Sequence, residues 1–353
     1  MTMVTLYVAS SSPYSGKTLT CIVLGTHWQR QGRRVGYLKP LGLMPVTVEG
    51  QVTDEDALFV AEQLGLEDPA ARYCPVVLDR SACHIQPQDA CQRVREAYTA
   101  AARDKDLMLV NGIGDVLTRG SMFGLEGVAV AEMLEAKVLL VTRCDSFLDA
   151  DEIIAAGRAL GERVVGVVLN RVPDCRRDEI EQLVIPCLGA QGLTVLGMMP
   201  DDPILHSVSV QEIAEAISAE VLCGAEACGE LVESFVVGAM GVESALRYFR
   251  NTPRKCVITG GDRSDIQLAA LETPTQCLIL TGGLRPSHTV VAHAERQNTP
   301  LLLAAADTLT VVGIIEEMLG KLRVREQKKV NHALEQFERH VDLARLEALL
   351  GIA

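Results

Sequence analysis

The stretch Met3-Val-Thr-Leu-Tyr-Val-Ala-Ser-Ser-Ser-Pro-Tyr-Ser-Gly-Lys-Thr18 decides the fold. Met3–Ala9 reads as a buried strand. It empties into a loop ending Gly16-Lys17-Thr18, and an aliphatic helix, Lys17–Gln31, follows. A loop that binds phosphate needs backbone N–H groups curled around oxygens and the positive end of a helix. It also needs a lysine for the outer phosphates and a hydroxyl for Mg²⁺. Gly16, Lys17 and Thr18 supply the second half of that pattern, with Ser12 and Ser15 expected to join them in binding the nucleotide, while Ser10 and Ser11 stand where a first glycine is usual. The competing reading is an ordinary strand-to-helix turn with a solvated lysine.

Outward from this loop, aliphatic runs alternate with amphipathic ones. Strands are expected at Arg34–Lys39, Leu107–Asn111, Lys137–Thr142, Val164–Asn170 and Leu193–Met198. Helices are expected at Glu55–Leu64, Pro87–Arg103, Leu125–Glu135, Ala150–Leu160 and Asp178–Leu188. Strands apolar on both faces and separated by helices predict a parallel sheet covered on both sides. Pro200-Asp-Asp-Pro203 interrupts the rhythm, so a boundary is expected near 203–212. A shorter cycle follows with strands at Lys255–Thr259, Gln276–Thr281 and Leu301–Ala306. The expected domains are 1–207, 208–322 and a helical tail, 323–353. Arg323, Arg325, Lys328 and Lys329 form the one basic cluster, read as a solvated helix face or dimer arm.

Composition narrows the function classes. Lys plus Arg number 33 against 46 Asp plus Glu, a net charge of −13 that repels phosphate backbones at long range. Aromatics are 4%, with Trp28 the single tryptophan, too few for nucleic-acid stacking platforms. The longest apolar stretch, near Pro300–Leu319, contains Asp307, Glu316 and Glu317, which argues against a membrane span. Eleven cysteines lie between Cys21 and Cys277 without a C-x-x-C pair, and no signal peptide is apparent. Reduced thiols in a cytoplasmic protein, binding neither nucleic acid nor membrane, are the expectation. His288, His293, His332 and His340 lack metal-pair spacing, and His84 beside Cys83 has no nameable partner.

Val35-Gly-Tyr-Leu-Lys-Pro40 resembles dethiobiotin synthetase. It is closer still to the related N-terminal domain of long bacterial phosphotransacetylases. The resemblance continues at Thr53-Asp-Glu-Asp-Ala57 and Gly166-Val-Val-Leu-Asn-Arg171, and it spans about residues 1–205. It implies a P-loop NTPase-like α/β fold, a parallel sheet sandwiched by helices, that binds ATP or a related nucleotide. By the same resemblance Thr18 and Asp56 hold Mg²⁺, Asn170 reads the adenine edge, and Lys39 seats a carboxylate. Beside this stands a plainer reading of Lys39, pairing with Asp54 or Asp56. Aligned on Gly-Lys-Thr, the synthetase loop's acidic residue falls on Ser12. Asn111 replaces the family's glutamate, a carboxylate ligand for a hard cation; Asp115 either compensates or makes a turn. These departures point to nucleotide binding with weak or absent turnover.

The second half repeats one pattern: strand, Thr-Gly-Gly, one residue, Arg. Thr259-Gly260-Gly261-Asp262-Arg263 and Thr281-Gly282-Gly283-Leu284-Arg285 start 22 residues apart. Parallel strands would put both glycine pairs at the carboxyl edge of one sheet, with Asp307 and Thr308 at the third strand end. Arg263 or Arg285 could clamp a phosphate or carboxylate; alternatively the arginines pair with Asp262 and Asp265. This region, about 210–320, resembles the DRTGG domain, a smaller α/β domain for which regulatory binding or dimerisation is implied. The expectation is a homo-oligomeric nucleotide-binding regulator whose second domain takes a small phosphorylated or carboxylate ligand. The enzyme alternative is an ATP- and Mg²⁺-dependent carboxylate-activating ligase using Lys17 and Lys39. A third reading is a scaffold subunit whose loop no longer binds nucleotide.

Overall fold

Aliphatic runs long enough to be buried on both faces become the strands of a parallel sheet, as seen in this computed structural model, which describes residues 3–78, 85–320 and 327–352. Two compact units are present: Met1–Asp201 with Val324–Ala353, and Asp202–Arg323. The division falls inside Pro200-Asp-Asp-Pro203.

In chain order the first unit contains β1 (Val4–Ala9), β2 (Val35–Leu38) and the hairpin β3 (Pro45–Val48) and β4 (Gln51–Asp54). Then come β5 (Leu107–Asn111), β6 (Lys137–Arg143), β7 (Val164–Val172) and β8 (Val195–Pro200). The main sheet runs β2-β5-β1-β6-β7-β8 and every pairing in it is parallel. Every residue of β5 is buried, as are five of the six in β1. Tyr7, Leu24, Trp28 and Tyr37 fill the layers beside them. From β1 the chain crosses to β2 on one side, fills in β5, and then starts β6 on the other. The carboxyl end of β1 is therefore the point where strand order reverses, the place where open α/β sheets form a crevice. The β3–β4 hairpin was not anticipated; its exposed, alternating residues give only a weak strand signal.

The tail departs from expectation. It forms two helices, Gln327–His340 and Leu343–Leu350, broken where Asp342 caps the second through Arg345 N at 2.9 Å. Val330, Leu334, Phe337, Leu346 and Leu350 are buried, and so is Lys329, so Lys329 is no part of a solvated basic face. Asp342 N donates to Leu196 O at 2.8 Å, and a Cβ on Gly197 would lie 2.2 Å from His340 O. The tail backbone thus lies directly on β8. Glu347 Oε1 accepts from Trp28 Nε1, Gln31 Nε2 and His27 Nε2 at 3.0–3.2 Å, and Lys137 Nζ donates to Leu349 O and Leu350 O. Cys83, His84, Arg323, Arg325 and the side chain of Lys328 lie outside the described residues.

The second unit holds β9 (Val208–Ser209), β10 (Glu220–Cys223), β11 (Leu231–Val232), β12 (Ser234–Val237), β13 (Lys255–Gly260), β14 (Thr275–Thr281) and β15 (Leu301–Leu303). Its main sheet runs β10-β15-β14-β13-β12 and is parallel except for β10. The central β13 and β14 were legible; the four-residue edge strands β10 and β12 were not. The pairing Gly260↔Thr281 puts both Thr-Gly-Gly turns side by side at the carboxyl edge.

Candidate functional site

The loop 10–16 runs from the end of β1 to the helix Lys17–Arg30. Gly16 caps that helix with φ 94°, a left-handed conformation that favours glycine. The loop is tied down by its own hydroxyls: Ser15 Oγ donates to Ser12 O at 2.8 Å, and Ser11 Oγ meets Thr142 Oγ1 at 2.5 Å. Ser10, where a first glycine is usual, is buried; its Oγ contacts Ser12 O at 2.6 Å and Gly114 O at 2.8 Å. A serine therefore fills the role of closing the loop by side-chain bonding.

Lys17 is buried and donates to Ser10 Oγ at 2.6 Å and Gly114 O at 2.9 Å. Among the described residues no carboxylate pairs with it. Burial, followed by repulsion from Lys39, lowers its pKa to about 8. Lys17 is the first residue of its helix, whose N-terminus also carries positive potential and has no acidic residue in its first turn. Such a site attracts a compact anion.

The expected metal ligands are otherwise engaged. Lys39 Nζ donates to Asp54 Oδ1 at 2.7 Å and to Asp56 Oδ2 at 3.1 Å, which is the plainer of its two sequence readings. Although burial opposes the charge, the two carboxylates carry the Lys39 pKa upward. Asp54 is fully buried and also accepts from Leu43 N, Met44 N and Ala57 N. Asn111 directs Nδ2 toward Thr18 Oγ1 at 3.2 Å and Tyr37 OH at 3.1 Å, and its buried Oδ1 has no partner. Asp115 accepts from Leu117 N and Thr118 N, a turn residue and not a substitute ligand. Mg²⁺ asks for carboxylates free to face it. Here Asp56 is shared with a lysine and Asn111 adds no negative charge, so the residues offer the ion a weaker ligand set than carboxylates would.

Further along the same edge, Asn170 Nδ2 donates to Ser15 O at 3.0 Å. Thr142, Arg143 and Arg171 also stand at these strand ends, although sequence inspection passed over them. Arg143 pairs with Asp145 at 2.5 Å. Arg171 is left-handed with φ 59°, and burial together with Arg143 lowers its pKa. The positive φ is invisible in sequence because arginine seldom adopts it.

In the second unit the predicted residues come together but are occupied. Thr281 Oγ1 meets Thr308 Oγ1 at 2.7 Å, and Thr259 Oγ1 donates to Gly238 O at 3.2 Å. Gly282 and Gly283 are left-handed, whereas Gly261 is needed for space: a Cβ there would lie 1.9 Å from Leu284 O. Asp262 lies beside Gly260. Arg263 makes two bonds to Asp265, at 3.0 and 3.1 Å, and Arg285 bonds Glu220. Asp307 caps its helix through Thr310. The buried Gln267 donates to both Gly260 O and Gly261 O, a support that sequence reading did not find.

Sheet order, loop and helix define a P-loop α/β protein that carries a second, smaller α/β unit. The model of the family described as AAA domain matches residues 4–223, more than half of the chain, and the chain belongs to that family. The model described as DRTGG domain matches residues 212–318. The chain is 26% identical over 359 residues to a phosphate acetyltransferase of Synechocystis sp., covering 96% of this chain and 50% of the relative. It is 25% identical over 376 residues to that of Nitratidesulfovibrio vulgaris, covering 98% of this chain and 51% of the relative. The chain thus spans about half the length of the curated relatives it matches. Among solved structures it is similar to the cell division ATPase MinD of Pyrococcus furiosus, at 17% identity and a TM-score of 0.39, covering 58% of this chain and 86% of the other. It is also similar to the CBS and DRTGG domains of the Clostridium perfringens pyrophosphatase regulatory region, complexed with diadenosine tetraphosphate. That likeness has 24% identity and a TM-score of 0.28, and covers 41% of this chain and 70% of the other.

Proposed function

We propose that the first unit binds ATP or a related nucleotide through its phosphates at the loop Ser10–Thr18, and that the chain acts as a nucleotide-responsive regulator in the cytoplasm. The second unit would take a small phosphorylated or carboxylate ligand, or a second copy of the chain, at its Thr-Gly-Gly edge. The observation that carries this reading is the Lys17 ammonium, unpaired by any described carboxylate, beside a left-handed Gly16 at the sheet's reversal point. Turnover is disfavoured because Asp56 is held by Lys39 and Asn111 brings no negative charge. The ligase alternative needs Lys39 free to seat a carboxylate, and Lys39 is committed to Asp54 and Asp56.

Calorimetry with ATP is the test. Charge-assisted hydrogen bonds contribute about 1.5–3 kcal/mol, so Lys17→Ala should weaken binding by about 10- to 150-fold. Unchanged affinity in Lys17→Ala would sink the reading. The pH dependence has a definite sign. Lys17 loses its proton as pH rises through about 8. Binding of an anion favours the charged form, so affinity should fall by about tenfold between pH 7 and pH 9, with proton uptake on binding near pH 8.5. In Lys17→Ala this slope should vanish; a slope that persists would assign the titration to another group.

A further inference from the structure

Beyond the phosphate loop, three polar side chains stand together at the ends of β7 and β8. β1 and β7 are two places apart in the sheet, about 10 Å at ordinary strand spacing. That is the reach from a nucleotide's phosphates to its base. Asn170 spends one N–H on Ser15 O at 3.0 Å and one oxygen lone pair on Arg171 N at 2.9 Å; it keeps one of each. Arg171 follows in the left-handed conformation, φ 59°, an outlier of the kind that gathers at binding sites. Asp201 is drawn alongside by its own N–H, which donates to Val172 O at 2.9 Å. Its carboxylate stands 3.7 Å from the Arg171 guanidinium and is 47% exposed, whereas the guanidinium is 22% exposed. The carboxylate therefore opens outward from a largely covered cation. On the other side Arg143, the cross-strand neighbour of Asn170, is held tightly by Asp145 at 2.5 Å.

The two purine bases ask opposite things of such a set. Guanine presents acceptors at O6 and N7 and donors at N1 and N2. Adenine presents a donor at N6 and acceptors at N1 and N7. A carboxylate only accepts and a guanidinium only donates. Asp201 thus suits the two guanine donors and repels the N1 lone pair of adenine. The spare Asn170 N–H and the Arg171 guanidinium suit O6 and N7.

The geometry points to guanine as the base of the ligand, with Asp201 accepting from N1–H and N2–H and with Asn170 and Arg171 donating to O6 and N7. The inference rests on the reading of Ser10–Thr18 as a nucleotide site and names the nucleotide. It parts from the adenine contact that the resemblance implies for Asn170.

The test is calorimetry on the full chain with GTP, ITP, XTP and ATP. A well-placed bidentate contact discriminates bases by about 5- to 150-fold, so wild type should bind GTP at least about tenfold tighter than ATP. ITP lacks the N2 amine and should fall between them. Asp201→Asn should bring GTP down to the level of ATP and raise XTP affinity by about tenfold. Xanthine carries an oxygen where guanine carries that amine, and an amide at 201 can donate to it. A merely structural role for Asp201 would produce no such gain. Equal affinities for ATP and GTP in wild type, or a preference for ATP, would overturn the inference and leave the nucleotide reading of the loop standing. A GTP preference that survives unchanged in Asp201→Asn would overturn it as well. Should that variant fail to fold, the wild-type order of GTP, ITP and ATP decides alone. If wild type binds none of the four, the nucleotide reading of the loop falls first and takes the inference with it.

Discussion

A chain shortened to residues 1–323 is expected to lose the cooperative unfolding transition of its first unit. Val330, Leu334, Phe337, Val341, Leu346, Leu350 and Ile352 are each at most 5% exposed. Burying one such side chain contributes about 1.5–3 kcal/mol, and the whole net stability of a domain is about 5–15 kcal/mol. Removing all seven strips apolar cover from β7, β8 and the helix Lys17–Arg30. The shortened unit would expose to water the apolar surface that these side chains cover, which is the reason for expecting it to lose its cooperative fold. Circular dichroism melting of the full and shortened chains would show this directly. A shortened chain that still melts cooperatively, with the full chain's ellipticity per residue, contradicts it. A milder version keeps the tail. Glu347→Ala should cost about 1–3 kcal/mol, because it leaves the buried Trp28 indole N–H without its acceptor. Trp28 is the single tryptophan, so its fluorescence reports the same event.

The second large effect is expected at Lys39. Lys39→Met should destabilise the first unit by about 3 kcal/mol, toward the lower end of what breaking a buried ion pair costs. The lower end applies because the fully buried Asp54 keeps three backbone N–H donors after the ammonium is gone. Urea unfolding would measure it. The double variant Lys39→Met/Asp54→Asn should recover part of the loss, since it removes the uncompensated charge along with its partner. A cost below 1 kcal/mol in the single variant would show that Lys39 is not the counter-ion of Asp54 in solution. It would also return the ligase reading to consideration, because a lysine free of Asp54 could seat a carboxylate.

What was legible in sequence follows from what sequence encodes locally. Strands buried on both faces announce themselves as unbroken aliphatic runs, so β1, β5, β6, β7, β13 and β14 were readable, and with them the parallel α/β class. Gly16-Lys17-Thr18 was readable because a glycine, an ammonium and a hydroxyl are each irreplaceable in a phosphate loop. Bonds over long sequence separation were not. That Asn170 would grip Ser15, or that Glu347 would collect three donors from the helix after the loop, depends on where the sheet brings distant segments. The tail shows this best. Its charge pattern reads as a solvated helix because its apolar stripe is narrow, and only the exposed carbonyls and bare glycine of β8 explain why that stripe is covered.

The first unit is written in two pieces of sequence with the whole second unit between them. For a chain emerging from the ribosome this sets an order of events. All six strands of the first sheet are synthesised by Pro200, yet the helices that cover β8 arrive more than a hundred residues later. The second unit is complete before they do. Domains form as units during synthesis, typically from the N-terminal end, at about 5–20 residues per second. The nascent protein therefore spends several seconds with a finished second unit and an unsealed first one. The apolar flank of β7 and β8 that the tail covers is bare during that interval.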